Sequence, residues 1–383
     1  VSLPVAWRQE SVIRPCVRVT AALPAILLLS CVSVILAAIQ SFHPSYKDSP
    51  MPNVLSLLEE VGSPTIGLGC MNLSHGYGAP VPEAEGVRAL QAAFEMGYRH
   101  FDTATLYGAT ANESLVGKAL EGRREQLLLA SKCGMAIDPA LGRKVIDGRP
   151  ETLRRQCEAS LQRLRTDRLD LYYLHRMDRQ VPIEESVGAL GRLVEEGKLR
   201  AVGLSEVSAE TLRRGHAEYP VAAVQSEYSL WTRNPEIALL AACRELGTTL
   251  VAFSPLGRGF LADAVPDPAR LEESDMRRGM PRFSDEHYPH NQRLLADFTA
   301  LAAELEITPG QLALAWVKAQ GADIVPIPGT RDVAHMRENL AAETLRLDAA
   351  SLEKLNAMMT PDQVRGGRYS EAQQADIDTE EFA

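Results

Sequence analysis

Across its 383 residues the sequence has no CxxC pair and no Cys/His spacing suited to zinc. Its six cysteines (Cys16, Cys31, Cys70, Cys133, Cys157 and Cys243) are scattered and read as reduced thiols of an intracellular chain. His287 and His290 stand three apart with no further ligand in view, so no metal is expected. Positive charge is not in excess either. A formal net charge of −10 and a pI near 5.4 exclude a basic nucleic-acid surface. No low-complexity tract and no second domain stand out. With 45% hydrophobic and 23% charged residues the chain has material for a sizeable core, and its length suits one large α/β barrel plus a tail.

Charge is also missing from residues 20–39, TAALPAILLLSCVSVILAAI, a run about long enough to cross a bilayer. Arg8, Arg14 and Arg18 precede it and would keep the N-terminus in the cytoplasm if it were inserted. A secretory signal ending near Ala37-Ala38 is a second reading. The third takes Val1 as a non-ATG start translated literally, since the first methionine is Met51, directly before the sequence becomes regular. The expected organisation is a leader over 1–50, a barrel over 51–360 and a tail over 361–383.

From Pro64 the pattern alternates. Short apolar runs, apolar on both faces as covered parallel strands are, occupy 65–71, 98–102, 127–132, 169–175, 199–205, 222–228, 249–255 and 323–328. Between them lie stretches of helical spacing at 83–97, 112–121, 150–165, 184–196, 208–217, 235–246, 291–305 with 308–320, and 332–341. Gly97, Gly197 and Gly247 fall where helices should stop. Eight such units predict a closed parallel (β/α)8 TIM barrel. An open doubly wound sheet would carry GxGxxG after its first strand, and GLGCMNLSHGYG lacks it. Residues 256–290 are too long for a mere connection and are expected to act as a lid.

In such a barrel the C-terminal strand ends face one site. Reading that position gives Asp102, Lys132 and His175 from strands two to four, with Tyr107 just after strand two. A free tyrosine, with a pKa of about 10, is a poor acid near neutrality; a lysine ammonium beside it is expected to lower that value, with Asp102 as counter-ion. His175 would orient a substrate oxygen, and the group would protonate that oxygen while a hydride reaches the attached carbon.

At this point the chain resembles the aldo-keto reductases, (β/α)8 barrels that reduce carbonyls with NADPH. YRHFDTATLYG-ATANESLVGKAL carries the family's pattern at Gly97, Arg99, Asp102, Tyr107, Gly108, Glu113 and Gly117, and LDLYYLHRMD carries it at Asp170 and His175. The resemblance runs from about Pro64 to Leu340. It implies Tyr107 as general acid supported by Lys132, Asp102 and His175, with NADPH as cofactor in preference to NADH. It further implies nicotinamide stacked on Phe253 and held by Ser205, Glu206 and Gln225, with Glu206 standing where asparagine is commoner. Ser254, at the end of the same strand as Phe253, would also touch the cofactor, and Leu256-Gly257-Arg258-Gly259-Phe260 would cover the pyrophosphate. Gly329, Thr330 and Arg331 would take phosphate, and Glu338 and Asn339 would meet the adenine end. His335 stands where many members carry an arginine.

His75, Tyr77 and Trp231 are expected to shape the pocket for a small carbonyl substrate. A soluble reduced nicotinamide cofactor places the domain in the cytoplasm and favours initiation at Met51, with membrane contact only if 20–39 is translated and inserted. The competing reading is a cofactor-binding accessory subunit of a membrane protein with little turnover. No feature fixes an oligomeric state.

Overall fold

The computed structural model describes residues 52–382 apart from 139, 263 and 266; the 1–50 leader lies outside the described residues. Eight strands form one parallel sheet: β1 (Leu68–Gly69), β2 (His100–Asp102), β3 (Leu128–Cys133), β6 (Leu169–Leu174), β7 (Leu199–Ser205), β8 (Val221–Glu227), β9 (Thr249–Phe253) and β10 (Ile324–Ile327). Its two edges meet. Gly67 N–H donates to Pro326 O at 3.0 Å, Gly69 N–H donates to Pro328 O at 3.2 Å, and Gly69 bridges Gly329 in parallel, giving a nearly closed (β/α)8 barrel. Each of the eight apolar runs overlaps one of these strands, with β3 and β8 each extending one residue beyond its run. Between β3 and β6 sits an antiparallel hairpin, β4 (Met135–Asp138) with β5 (Arg143–Ile146), that the sequence reading did not anticipate.

The helices cover the outside, and their ends follow local chemistry. Glu83–Met96 stops at Gly97 with φ 113°, a conformation that favours glycine. Pro309–Ala319 starts with a capping box in which Thr308 and Gln311 satisfy each other's backbone N–H groups. One unanticipated helix, Val54–Glu60, closes the barrel from below: Val54, Leu57 and Leu58 cluster with Leu128, Leu171, Ala201, Val251 and Val325, none of them beyond the midpoint of its strand. Burying those three side chains completely is worth about 1.5–3 kcal/mol each. The site is thereby left open only at the C-terminal strand ends. Across that mouth lies the tail after Met359, tied down by buried ion pairs.

Candidate active site

Alternation along each strand decides which side chains enter the barrel. On β3, Leu128 and Ala130 pack inside while Leu129 and Cys133 face the helices, so Lys132 falls on the inward track. The same parity brings Asp102 in beside the outward Phe101, His175 after Tyr173, Gln225 after Ala223, and Phe253 after Val251.

These groups meet. The fully buried Lys132 ammonium is ion-paired to Asp102 Oδ1 and donates to Thr103 O at 2.9 Å. Gln225 Nε2 donates to the other carboxylate oxygen of Asp102 at 2.8 Å. Lys132 Nζ lies 5.0 Å from the centre of the Tyr107 ring, and His175 meets that ring edge-on with centroids 5.7 Å apart. Tyr107 heads a loop whose next three residues, Gly108, Ala109 and Thr110, have φ of 57°, 49° and 82°. For Ala109 and Thr110 this is a strained conformation, costing roughly 1–3 kcal/mol each. Asn112 helps to hold it, donating to Cys70 O and Ser74 Oγ at 2.9 Å each while accepting from Thr103 Oγ1 at 2.6 Å.

Other residues of the sequence pattern are architectural. Glu113 accepts from Ser131 at 2.6 Å and from Arg163 Nε at 2.7 Å. A Cβ at Gly117 would lie 2.4 Å from Arg163 O, so two helices approach there through glycine. Asp170 accepts from the Leu129 N–H at 2.8 Å and pairs with Arg124.

Electrostatically, burial alone would pull Lys132 down, but Asp102 and Tyr107 hold it above its usual value, so it stays charged. His175 is driven well below 6.5 by burial, then by Arg176 and Lys132, and is neutral. Tyr107 corrects the sequence expectation. Burial pushes the phenol above 10.0, Lys132 pulls it down and Asp102 pushes it up again, so the net shift is upward and the phenol keeps its proton at neutral pH. Cys70 and Cys133 are buried thiols raised chiefly by the same desolvation.

A cavity of about 810 Å³ opens above this cluster. Its wall includes Asp102, Tyr107 and His175, and also His75, Tyr77, Ser205, Gln225, Phe253, Ser254, Leu256, Gly329, Thr330, Arg331, Glu338 and Asn339. Lys132 lies beneath it. Besides Lys132, three expected residues are absent from the wall. Glu206 has φ 54° and turns away; its carboxylate accepts from Ser226 Oγ and Glu227 N–H, each at 2.9 Å, and lies 3.2 Å from Arg368 Nη2. Gly257 is buried in the turn after β9. Trp231 stacks on Phe260 with centroids 3.9 Å apart and meets Phe283 edge-on, so it is core.

The wall also contains groups the sequence reading passed over. Met135 and Lys144 come from the hairpin, and Tyr369, Gln373, Asp376 and Ile377 from the tail. Leu256, Arg258, Gly259, Ala262, Ala264, Met276 and Arg277 bring the 256–290 segment onto the cavity. Arg176, directly after His175, donates through Nη1 to His175 O at 2.6 Å and to Ser205 Oγ at 3.2 Å. Its signal was visible as a cation one residue past a strand end.

Comparison with known proteins agrees with this geometry. Residues 65–359 match the model of the aldo/keto reductase family. The chain is 44% identical over 310 residues to a probable aldo-keto reductase 1 of Glycine max, covering 79% of this chain and 88% of that one. It is 42% identical over 311 residues to the aldo-keto reductase yakc of Schizosaccharomyces pombe, named with NADP(+), covering 80% and 91%. Among solved structures, an aldo/keto reductase from Klebsiella pneumoniae in complex with NADP and acetate superposes with a TM-score of 0.62 at 29% identity, covering 80% of this chain and 95% of that one. Matched along almost the whole described barrel, by sequence and by shape, the chain belongs to the aldo/keto reductase family.

Proposed function

We propose that the protein reduces an aldehyde or ketone to the alcohol with NADPH, with Tyr107 as the proton donor. The family is one of NADP-dependent oxidoreductases; the fission-yeast relative is named with NADP(+), and the Klebsiella structure holds NADP.

The residues present fit that cofactor. The cavity runs from His175 past Phe253 and Leu256 to Gly329, Arg331 and Asn339. Asn339 Nδ2 is buried with no partner among the described residues, as expected of a group awaiting one. Phe253 offers a ring face for nicotinamide, and Ser205 and Gln225 offer polar groups beside it. Arg331 is exposed and, among the described residues, donates only to Ala79 O at 3.2 Å, so it is available to a 2′-phosphate, which favours NADPH over NADH. Asp332 caps the following helix through the Ala334 and His335 N–H groups. That leaves the 329–331 loop, rather than the helix's first turn, to face the pyrophosphate. When bound, NADPH supplies the hydride.

The protein's own part is to position and protonate. His175 is neutral and donates to the carbonyl oxygen, fixing it beside Tyr107. As that oxygen gains charge it becomes a far stronger base than a phenolate, so a phenol raised above 10.0 still transfers its proton. The Lys132 ammonium stabilises the phenolate left behind, and Asp102 keeps the ammonium charged. The observation that carries this reading is the buried Lys132–Asp102 pair directly under Tyr107, with a neutral imidazole across the ring. It is tested by following NADPH oxidation by the full chain against aromatic, aliphatic and dicarbonyl compounds. Steady consumption is expected; one stoichiometric oxidation with no further turnover would favour the accessory-subunit reading instead.

A further inference from the structure

The cations on the cavity wall are mostly neutralised. Lys144 pairs with Asp376, Arg258 with Glu227 and Arg277 with Asp275, and below the wall Lys132 pairs with Asp102. Among the described residues, two wall guanidiniums have no carboxylate within 4.0 Å: Arg331 at the cofactor's phosphate end, and Arg176 at the catalytic end. Arg176 is half-buried, and Nη1 alone is engaged, by His175 O and Ser205 Oγ. The opposite edge of the guanidinium, Nε with Nη2, has no protein partner among the described residues and is not fully buried, and the side chain lines the cavity. A guanidinium edge with two parallel donors matches the two oxygens of a carboxylate. The buried Glu206 carboxylate feels Arg176 from beyond 4.0 Å but is itself paired with Arg368, so Arg176 has no direct carboxylate partner among the described residues, and a ligand carboxylate would supply one.

The placement is specific. Arg176 is anchored to the backbone of His175, the residue proposed to hold the substrate oxygen, so a group bound to its free edge lies beside the reacting carbonyl. Met135, Tyr369 and Ile377 supply apolar surface on the same wall. Among the described residues one unpaired cation stands at this end, which suits a singly charged carboxylate better than a phosphate dianion. Resting on the reductase reading above, we infer that the substrates are carbonyl compounds bearing a carboxylate, such as short oxo acids, and that Arg176 is the residue that selects them.

The test compares matched substrates on the full chain with NADPH: 4-oxobutanoate against butanal, and 5-oxopentanoate against pentanal. The parent should prefer each acid. In Arg176→Gln the acid-to-neutral ratio of kcat/KM should fall by about ten- to a hundredfold, chiefly through KM, as expected for loss of a hydrogen-bonded charge pair. NADPH affinity, measured by fluorescence titration, should stay close to the parent's. Calorimetry with succinate in the presence of NADP+ reads the same site without turnover and should show binding weakened in the variant. Equal preference for acid and neutral aldehydes in the parent overturns the inference while leaving the reductase reading intact. So does a variant that loses NADPH affinity but keeps its acid preference, which would make Arg176 a cofactor contact. If no aldehyde is turned over the reductase reading fails, and succinate binding that is unchanged by the substitution then overturns the role of Arg176 as well.

Discussion

Replacing Arg368 by methionine removes the cation that ties the tail to the barrel. The guanidinium and two of its three carboxylate neighbours are almost sealed from solvent, with side-chain exposures of 1% for Arg368, 0% for Glu206 and 3% for Glu227, while the third, Glu381 at 3.8 Å, is half exposed. Removing one partner of a buried ion pair costs about 3–5 kcal/mol, because the other charge stays buried and unpaired. Here the lower end applies, since Glu206 keeps its bonds from Ser226 Oγ and Glu227 N–H, and Glu227 keeps Arg258 at 2.7 Å. At about 2.1 cal/mol/K per residue, the unit Met51–Ala383 unfolds with roughly 0.7 kcal/mol/K, so ~3 kcal/mol corresponds to a Tm lower by about 4 °C. If the tail peels away first, the same free energy appears as faster proteolysis after Met359, because the docked tail also depends on Asp378 accepting from Ser208 and Thr211. Differential scanning fluorimetry with timed proteolysis reads both routes. A second variant, Arg368→Met with Glu206→Gln, removes the orphaned carboxylate and should recover part of the loss. Burial alone would raise Glu206, but Arg368 and Arg176 hold it below its ordinary 4.5. The pair's contribution is therefore present above about pH 4.5 and lost as pH falls through the lower folded value. An Arg368→Met protein with unchanged Tm and unchanged cleavage would show the reasoning to be wrong.

Other consequences follow from the same geometry. His100 is fully buried inside the barrel with neither ring nitrogen bonded among the described residues, and burial takes its pKa from 6.5 to about 4. The unfolded chain binds a proton that the fold refuses between those values, so stability should fall as pH drops from 6.5 to 4, by up to about 3 kcal/mol. Chemical denaturation of His100→Leu across this range should show a flatter profile, and an unaltered slope would exclude His100 as its source. Gly117→Ala places a methyl 2.4 Å from Arg163 O and should cost about 1–3 kcal/mol in urea unfolding; a neutral result would mean the two helices separate freely. Lys132→Met strands the Asp102 carboxylate and removes the cation beside Tyr107, so aldehyde reduction should drop about a hundredfold or more. Full activity in that variant would remove lysine from the mechanism.

How much of this was legible depends on the range of the interaction. The barrel strands are readable because covered parallel strands are apolar on both faces, and the inward parity that gathers Asp102, Lys132 and His175 follows from the two-residue repeat. Helix Val54–Glu60 was not, since seven residues give too little periodicity to separate a plug from a loop. Glu206 misled because its neighbour Ser205 does line the cavity; its partner, Arg368, lies far along the chain, and no local pattern announces such a pair. Trp231 misled for a related reason, as an aromatic after a strand reads equally as pocket wall or core until Phe260 and Phe283 are placed beside it. The sign of the Tyr107 shift was misjudged because sequence reveals neighbours along strands but not depth of burial.

The proton-donor role is tested most directly by Tyr107→Phe, which removes one oxygen and leaves the ring that packs against His175 and Lys132. With an aldehyde that the parent turns over, the account predicts single-turnover reduction slowed about 10²- to 10⁴-fold while NADPH binds as before. Reduction at the parent's rate in that variant would contradict it.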